Sequence, residues 1–477
     1  MPQFETIIGL EIHAQLSTKT KMFCGCTTES WNLGPNEAVC PICMGFPGVL
    51  PFPNQEAIQK GLIAALALNC EIPEYAKFDR KNYFYPDLPF GYQISQYDKP
   101  VSKNGYLDFN LSDGTEKRIG ITRLHLENDA GKLTHITDGS LCDYNRAGVA
   151  LAEIVTEPDL RSPSEAKVFA EVLQKILRYV NASEADMFKG QMRFDASISL
   201  RPIGEKKLYP RAEIKNLNSF KALESALIYE EKRLLELWGK NNPPQKDTTI
   251  GWVDAEGKTK FLREKEGADD YRYFPEPDIP PLITTNQEAE NLRTKLPELP
   301  RAKVKRFIEE YNITKADAVD LSENQILADY FESIAKKSND AKKTAAWIST
   351  ELIGKFNEAG IEFSPKKISE ENLADLIKAI NKNEISGKIA KDVFAEMWNF
   401  NKSPREIIEQ KGLKQISNSD ILEKVANVVI LENPGPVGQF KSGKEAVIGF
   451  LVGQLMQKTK GQANPGMANE ILKKILK

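Results

Sequence analysis

Glu11 and His13 stand two residues apart in the run Thr6 to Leu16, whose alternate positions Ile8, Leu10, Ile12, Ala14 and Leu16 are apolar. A period of two means a half-buried strand, so a carboxylate and an imidazole share its polar face. Four later segments repeat the plan. Ile119 to Gly131 sets Leu124 and Leu126 against Arg123, His125, Glu127 and Asp129, and Gly148 to Pro158 places Glu153 on a face with Val149, Leu151 and Val155. A carboxylate among aliphatic groups needs a partner. Met192 to Pro202 alternates most cleanly, with Met192, Phe194, Ala196, Ile198 and Leu200 against Arg193, Asp195, Ser197, Ser199 and Arg201, and Arg211 to Lys215 adds Glu213 and Lys215. Antiparallel sheets often turn one polar face to water. Carboxylates gathered with His and Arg also suit a site for a metal ion and phosphate.

The elements that position these groups follow from composition and periodicity. A chain of 477 residues exceeds a single ordinary core, and 41% hydrophobic with 27% charged residues describes an ordinary globular protein of two to four domains. No apolar run approaches the roughly 18 residues that cross a bilayer. The start of the chain has neither a signal-peptide core nor an Arg-rich transit character, so a cytoplasmic location is expected. Net charge is only −3, which excludes a globally basic nucleic-acid binder and leaves a local surface as the alternative. Such a surface falls at the end, where residues 441–477 hold seven lysines against two glutamates. Either a solvated helical surface or contact with a phosphate backbone accounts for it.

β-type alternation and turns fill the first part of the chain, and six prolines between Pro275 and Pro300 exclude a continuous helix or central strand there. Beyond them the period turns to 3.6, as in Lys303 to Tyr311, Ala328 to Lys336 and Ala345 to Ala359, with caps at Asn339-Asp340 and Ser364-Pro365. A second break falls at Asn401 to Pro404. The expectation is an α+β protein: a β-rich antiparallel domain (1–292), a helical domain (293–403) and a small helical tail domain (404–477).

Cys24 and Cys26, then thirteen residues, then Cys40 and Cys43, have the spacing of two thiolate knuckles around one tetrahedral ion. Structural zinc, unliganded cysteines and a redox pair are the readings; Cys70 and Cys142 read as small hydrophobes. Gly438 to Lys444 matches seven positions of a phosphate-binding P-loop after the strand-like Val428 to Leu431, but Glu445 stands where a Mg²⁺-binding hydroxyl is required. A lysine-bearing loop is the better reading.

The residues around Ile8 to His13, Cys40 to Gly48, Asp79 to Pro89, Gly91 to Gln96, His125 to Glu127, Asp143 to Gly148, Glu153 to Asp159, Glu213 to Phe220 and Asp270 to Pro277 resemble the B subunit of the aspartyl/glutamyl-tRNA amidotransferases. So do Phe440 to Lys444, Gly449 to Gln454 and Lys458 to Pro465 of the tail, so the resemblance spans the chain. It implies a cradle-shaped first domain holding an ATP site, a helical domain, and a tail that docks on tRNA. Carried over residue by residue, Glu11, His13, Glu127 and Glu153 are the Mg²⁺-binding and catalytic positions. The facing of the strands makes Arg193, Arg201 and Lys215 candidates for phosphate or carboxylate contacts, and Asp195 and Glu213 for metal or ammonium contacts; structural ion pairs are the alternative. In the tail, Lys441, Lys444, Lys458 and Lys460 would meet tRNA. The clusters Tyr83-Phe84-Tyr85 and Tyr271 to Phe274 are read either as stacking platforms for a base or as core.

The implied reaction is ATP-dependent phosphorylation of the side-chain carboxylate of Glu or Asp mischarged on tRNA, followed by amidation. No glutaminase signature is found in the chain, so ammonia must come from a partner; the resemblance implies a heterotrimer completed by an amidase, its A subunit, and by a small C subunit. The chain departs from the family at Phe188, where relatives carry an acid, at Phe194 and Ser197, and at Ala152, whose small side chain is expected to loosen the pocket of Glu153. A non-catalytic RNA-binding scaffold is the competing function, and a P-loop NTPase tail a third.

Overall fold

The computed structural model describes residues 4–264, 271–413, 419–459 and 461–476. Lys460 and Asp270 lie outside them. Two compact units, 1–301 and 302–477, divide the chain.

The five alternating segments become strands of one eight-stranded sheet: β1 (Phe4–Gln15), β2 (Ser102–Asn110), β3 (Glu116–Asn128), β4 (Ala150–Thr156), β5 (Met192–Pro202), β6 (Ala212–Leu217), β7 (Thr248–Val253) and β8 (Lys258–Glu264). Their spatial order is β8-β7-β6-β5-β1-β4-β3-β2. Every pairing is antiparallel except β6 with β7. The period of two decides the faces: Ile8, Leu10, Ile12 and Ala14 are at most 1% exposed, whereas Glu11 and His13 face the other way and are partly open.

Three helices cover the apolar face. These are α1 (Gln55–Ala67), α2 (Pro163–Tyr179) and α3 (Phe220–Gly239), each started by a side-chain cap, from Asn54, Ser162 and Ser219. Leu62, Phe169, Leu173, Leu223 and Leu227 pack from them into the sheet core. Replacing the fully buried Phe169 by Ala would cost about 3–5 kcal/mol through the cavity left behind. Close approach of α1 to β3 depends on Gly61, where a Cβ would lie 2.5 Å from Leu126 Cδ2. That contact holds the strand carrying His125 and Glu127 against the helix. A small sheet, Phe274–Pro275 with Asp79–Asn82 and Tyr92–Ser95, is joined to β3 by the buried Asn128, whose Oδ1 accepts from Ile94 N at 2.8 Å.

The second unit is helical. Pro300–Tyr311, Gln325–Ser338, Glu370–Asn381, Gly387–Phe400 and Pro404–Gln410 pack around Phe307, Phe331, Ile348, Phe394 and Met397, with Ile407 and Ile408 in the same cluster. A separate cluster of Leu422, Val429, Leu451, Leu455 and Leu472 unites Ser419–Glu432, Ile448–Lys458 and Pro465–Leu476. Three local expectations are corrected. The helix expected over Ala345 to Ala359 is interrupted by a π turn at Trp347–Leu352. Ser369, rather than Ser364-Pro365, caps the helix that follows. Val428 to Leu431 is helical, its apolar side chains following the 3.6 period of Ser419–Glu432, so the P-loop-like residues have no strand before them.

Candidate active site

Register builds the site. Arg193 on β5 lies opposite His13 on β1, His13 opposite Glu153 on β4, and Glu153 opposite His125 on β3, so four strands contribute one row of side chains to the polar face. Glu127 stands two residues further along β3. His13 Nε2 is 3.6 Å from Glu127 Oε1 and 3.4 Å from Glu153 Oε2, and His125 Nε2 is 3.7 Å from Glu127 Oε2 and 3.3 Å from Glu153 Oε2. Ligand atoms of His13, Glu127 and Glu153 all lie within 4.8 Å of one another. Two carboxylates and one imidazole within that span fit a hard divalent ion, with the remaining positions left to water or phosphate.

Burial sharpens the charges. It pushes the Glu153 carboxyl up, but His125 and His13 outweigh it and hold the group well below the usual carboxylate range. Burial likewise opposes protonation of His125, yet the two glutamates raise it to about 9; Arg123 Nε, 3.4 Å from its Nδ1, is too long a contact to reverse this. His13 is raised for the same reason. Ser95 Oγ donates to Glu127 Oε2 at 3.2 Å. Arg193 is held by Asp129, whose Oδ1 it meets at 2.9 Å, while Arg146 approaches Oδ2 at 3.3 Å.

Glu11 lies outside the tight trio. It sits two residues before His13, opposite Asp195, in a neighbouring group with Glu213 and Lys215. Burial first, then Glu153, Glu213 and Asp195, push its carboxyl up. Beside it a cavity of about 140 Å³ is lined by Gly9, Ser197, Ser199, Tyr209 and Arg211. Arg201 is placed elsewhere: eight residues beyond Arg193 on β5, roughly 26 Å along the strand, it pairs with Glu5 at 2.7 Å. Alternation assigns its face correctly but says nothing of depth along the strand. Ala152 and Phe194 face the core, on the opposite side from Glu153, so neither shapes this pocket. Phe188 is 90% exposed and touches Trp31.

Lys81 is a site residue that sequence reasoning misses. Its strand, Asp79–Asn82, is too short for alternation to reveal, although it lies within one of the motifs that carry the family resemblance. Its ammonium faces Glu127 and Glu153 and lies 4.9 Å from the Tyr271 ring and 6.0 Å from that of Tyr83; Tyr273 stacks on Tyr97 at 4.3 Å. The clusters Tyr83 to Tyr85 and Tyr271 to Phe274 therefore meet, and Tyr83, Tyr271 and Tyr273 wall one side of the site. A bidentate pair anchors that wall, Arg80 Nε and Nη2 meeting Glu276 at 2.7 and 2.8 Å.

The second cluster is local. Sγ atoms of Cys24, Cys26, Cys40 and Cys43 lie within 4.8 Å of one another, and all four are free thiols. A tetrahedral ion at 2.3 Å from each sulfur needs separations of about 3.8 Å, and Cys26 Sγ to Cys43 Sγ is 4.0 Å. Lys21, fully buried, donates to Ala38 O at 2.8 Å, Tyr144 O at 3.2 Å and Cys43 Sγ at 3.6 Å. The cluster can hold a structural metal with part of its negative charge compensated. In the tail Lys441, Lys444 and Lys458 are exposed or half-exposed, the last pairing with Glu432 at 2.8 Å.

A polar row over a mostly antiparallel sheet, with His13, Glu127 and Glu153 close enough to share one ion beside a lysine and an arginine, is an arrangement suited to a metal ion and phosphate. The profile of the GatB/GatE catalytic domain matches residues 6–290, and that of the GatB domain residues 329–476. The chain belongs to this GatB family. It is 48% identical to the B subunit of the aspartyl/glutamyl-tRNA(Asn/Gln) amidotransferase of Carboxydothermus hydrogenoformans, and 47% identical to the protein of that name in Thermoanaerobacter sp., each alignment covering 99% of both chains. The same-named protein of Persephonella marina is 47% identical over 100% of both.

Proposed function

We propose that this chain is the carboxylate-activating component of a glutamine-dependent tRNA amidotransferase, a carbon-nitrogen ligase working in a heterotrimer with an amidase, the A subunit, and a small C subunit. A carboxylate is a poor acceptor for ammonia because oxide is a poor leaving group. The side-chain carboxylate of Glu or Asp on tRNA attacks the γ-phosphorus of ATP, ADP leaves, and ammonia then displaces phosphate from the acyl phosphate. Both steps demand charge neutralisation more than proton transfer.

The convergence of His13, Glu127 and Glu153 from three strands carries this reading. These residues would hold Mg²⁺, which when bound screens the phosphate charge. Arg193, fixed by Asp129, and Lys81, facing the two glutamates, supply positive charge around the trio. The tyrosine wall would shield that side from water. Structural zinc in the cysteine cluster would tie the segment 21–43 to the loop of Tyr144. The tail, through Lys441, Lys444 and Lys458, would dock on the tRNA backbone. A solvated sheet face would not bury Glu127, Glu153 and His125 at 2%, 8% and 3% exposure, which disfavours the scaffold alternative.

The test is phosphate release from ATP by the complex, with and without mischarged Glu-tRNA. Release should rise sharply with the charged tRNA and fall about 10³-fold in Glu153→Gln, whose ligand oxygen becomes a neutral amide. Turnover indifferent to the tRNA, or surviving the substitution, would sink the assignment.

A further inference from the structure

The cysteine cluster and the polar row of the sheet meet at one loop, residues 143–148. On one side of it the buried Asn145 accepts from Ala38 N through Oδ1 and donates to Gly34 O through Nδ2, both at 2.8 Å, and Tyr144 N donates to Asn36 Oδ1 at 2.7 Å. Residues 34–38 lie between Cys26 and Cys40. Lys21 adds another tie, its ammonium donating both to Cys43 Sγ and to Tyr144 O. At the end of the loop Met22 N donates to Gly148 O at 2.8 Å, and a Cβ on Gly148, whose φ is +90°, would lie 3.5 Å from Cys43 Cβ.

On its other side the loop carries Arg146. Its Nη2 donates to Gly131 O at 2.9 Å and its Nε to Ala130 O at 3.2 Å, and Nε also lies 3.3 Å from Asp129 Oδ2, which Gln15 Nε2 approaches at 3.4 Å. The side chain of Asp129 is 3% exposed, and its other oxygen, Oδ1, accepts from Arg193 Nη2 and from Ala130 N, both at 2.9 Å. Each carboxylate oxygen thus has its own guanidinium, so the group cannot turn without breaking a charge-assisted pair. Arg193 in turn stands opposite His13. We propose that Arg146 is a positioning residue: through Asp129 it fixes Arg193 beside His13, Glu127 and Glu153, and the cysteine cluster, when a metal holds it closed, fixes the loop that carries Arg146. The inference rests on reading Arg193 as a cation of the carboxylate-activating reaction. It gives the cysteine cluster a part in turnover as well as in stability.

Two measurements on the intact complex test it. In hydrogen exchange, zinc-stripped complex should exchange about tenfold faster than zinc-loaded complex at the amides of Asp129, Gly131 and Gly148, which donate to Val149 O, Asp87 O and Asp129 O. Asn145→Ala, which replaces no sulfur, should do the same with zinc still bound, and serves alone should stripping unfold the complex. In turnover, Arg146→Gln should lower kcat for tRNA-dependent ATP cleavage about 10- to 100-fold, the cost of a misplacement near 1 Å, and change KM for ATP less than about threefold. Mn²⁺, which prefers oxygen and imidazole ligands to thiolates, should still bind this variant when titrated and read by electron paramagnetic resonance. In an Arg193→Met background Arg146→Gln should lower kcat by less than about twofold more, because its effect passes through that guanidinium; a purely structural role predicts additive losses. Unchanged exchange at those amides in both the stripped and the Asn145→Ala complexes, or additive losses for Arg146→Gln and Arg193→Met, would overturn the proposal. Exchange that responds as expected in a complex whose ATP turnover ignores tRNA would leave the link between the clusters and remove the function proposed above.

Discussion

The cysteine cluster and the histidine-carboxylate cluster each gather metal-ligand side chains within a few ångströms, by opposite routes. The first comes from one short stretch, residues 24–43, closes on itself, and rests on a fully buried lysine. The second draws one residue from each of three strands far apart in sequence and stays half-open, His13 keeping 21% of its side chain exposed. Four protein sulfurs leave no position for substrate, whereas two carboxylates and one imidazole do. The first cluster is thus suited to holding the fold and the second to binding a ligand.

Stability measurements should separate them most strongly. Cys43→Ser removes a sulfur ligand and one of the three acceptors of Lys21, and should lower the melting temperature of the zinc-loaded protein by roughly 10 °C. Glu127→Gln should move it far less while abolishing Mn²⁺ binding. Equal melting shifts for the two would break the distinction.

A smaller effect concerns pH in metal-free protein. His125 is raised to about 9, above its unfolded value near 6.5, so its stabilisation is complete below about pH 6.5 and is lost as pH climbs through about 9. Glu153 is held low, so its contribution is present above about pH 4.5 and fades on acidification. The melting temperature should peak between about pH 5 and 6.5 and fall by several degrees toward pH 9. Saturating Mg²⁺ should flatten the alkaline fall, since the ion's charge would take over from protonated His13 and His125 in neutralising Glu127 and Glu153. Scanning calorimetry across that range checks it. The smallest effect is expected in the tail, where Lys444→Ala should weaken tRNA binding a few-fold and reduce its salt slope by about one, with no change in Mn²⁺ count.

Much of the candidate site is legible in the sequence. Alternation in β1, β3 and β5 assigns Glu11, His13, His125, Glu127, Arg193 and Asp195 to one face because successive residues of a strand point to opposite sides of the sheet. What alternation lacks is position along the strand and register between strands. It therefore groups Arg201 with an Arg193 at the other end of β5, whereas the grouping of Glu11 with His13, Glu127 and Glu153 comes from the family resemblance, and in the structure Glu11 stands one row away from those three. Lys81 escapes because four residues carry no period. Ala152 misleads for the opposite reason, since adjacent strand residues face opposite ways however close they are in sequence. The cysteine spacing, being local, needs no register at all.

The central place of β1 has a cost in time. Its partners lie at residues 150–156 and 192–202, so the first strand leaves the ribosome long before either neighbour exists. At about 5–20 residues per second, β1 waits on the order of 10–40 s with the row Ile8, Leu10 and Ile12 uncovered and both its edges unpaired. A nascent chain in that state is a ready client for a chaperone, and a stall before residue 192 would leave a strand suited to pairing with another copy of itself.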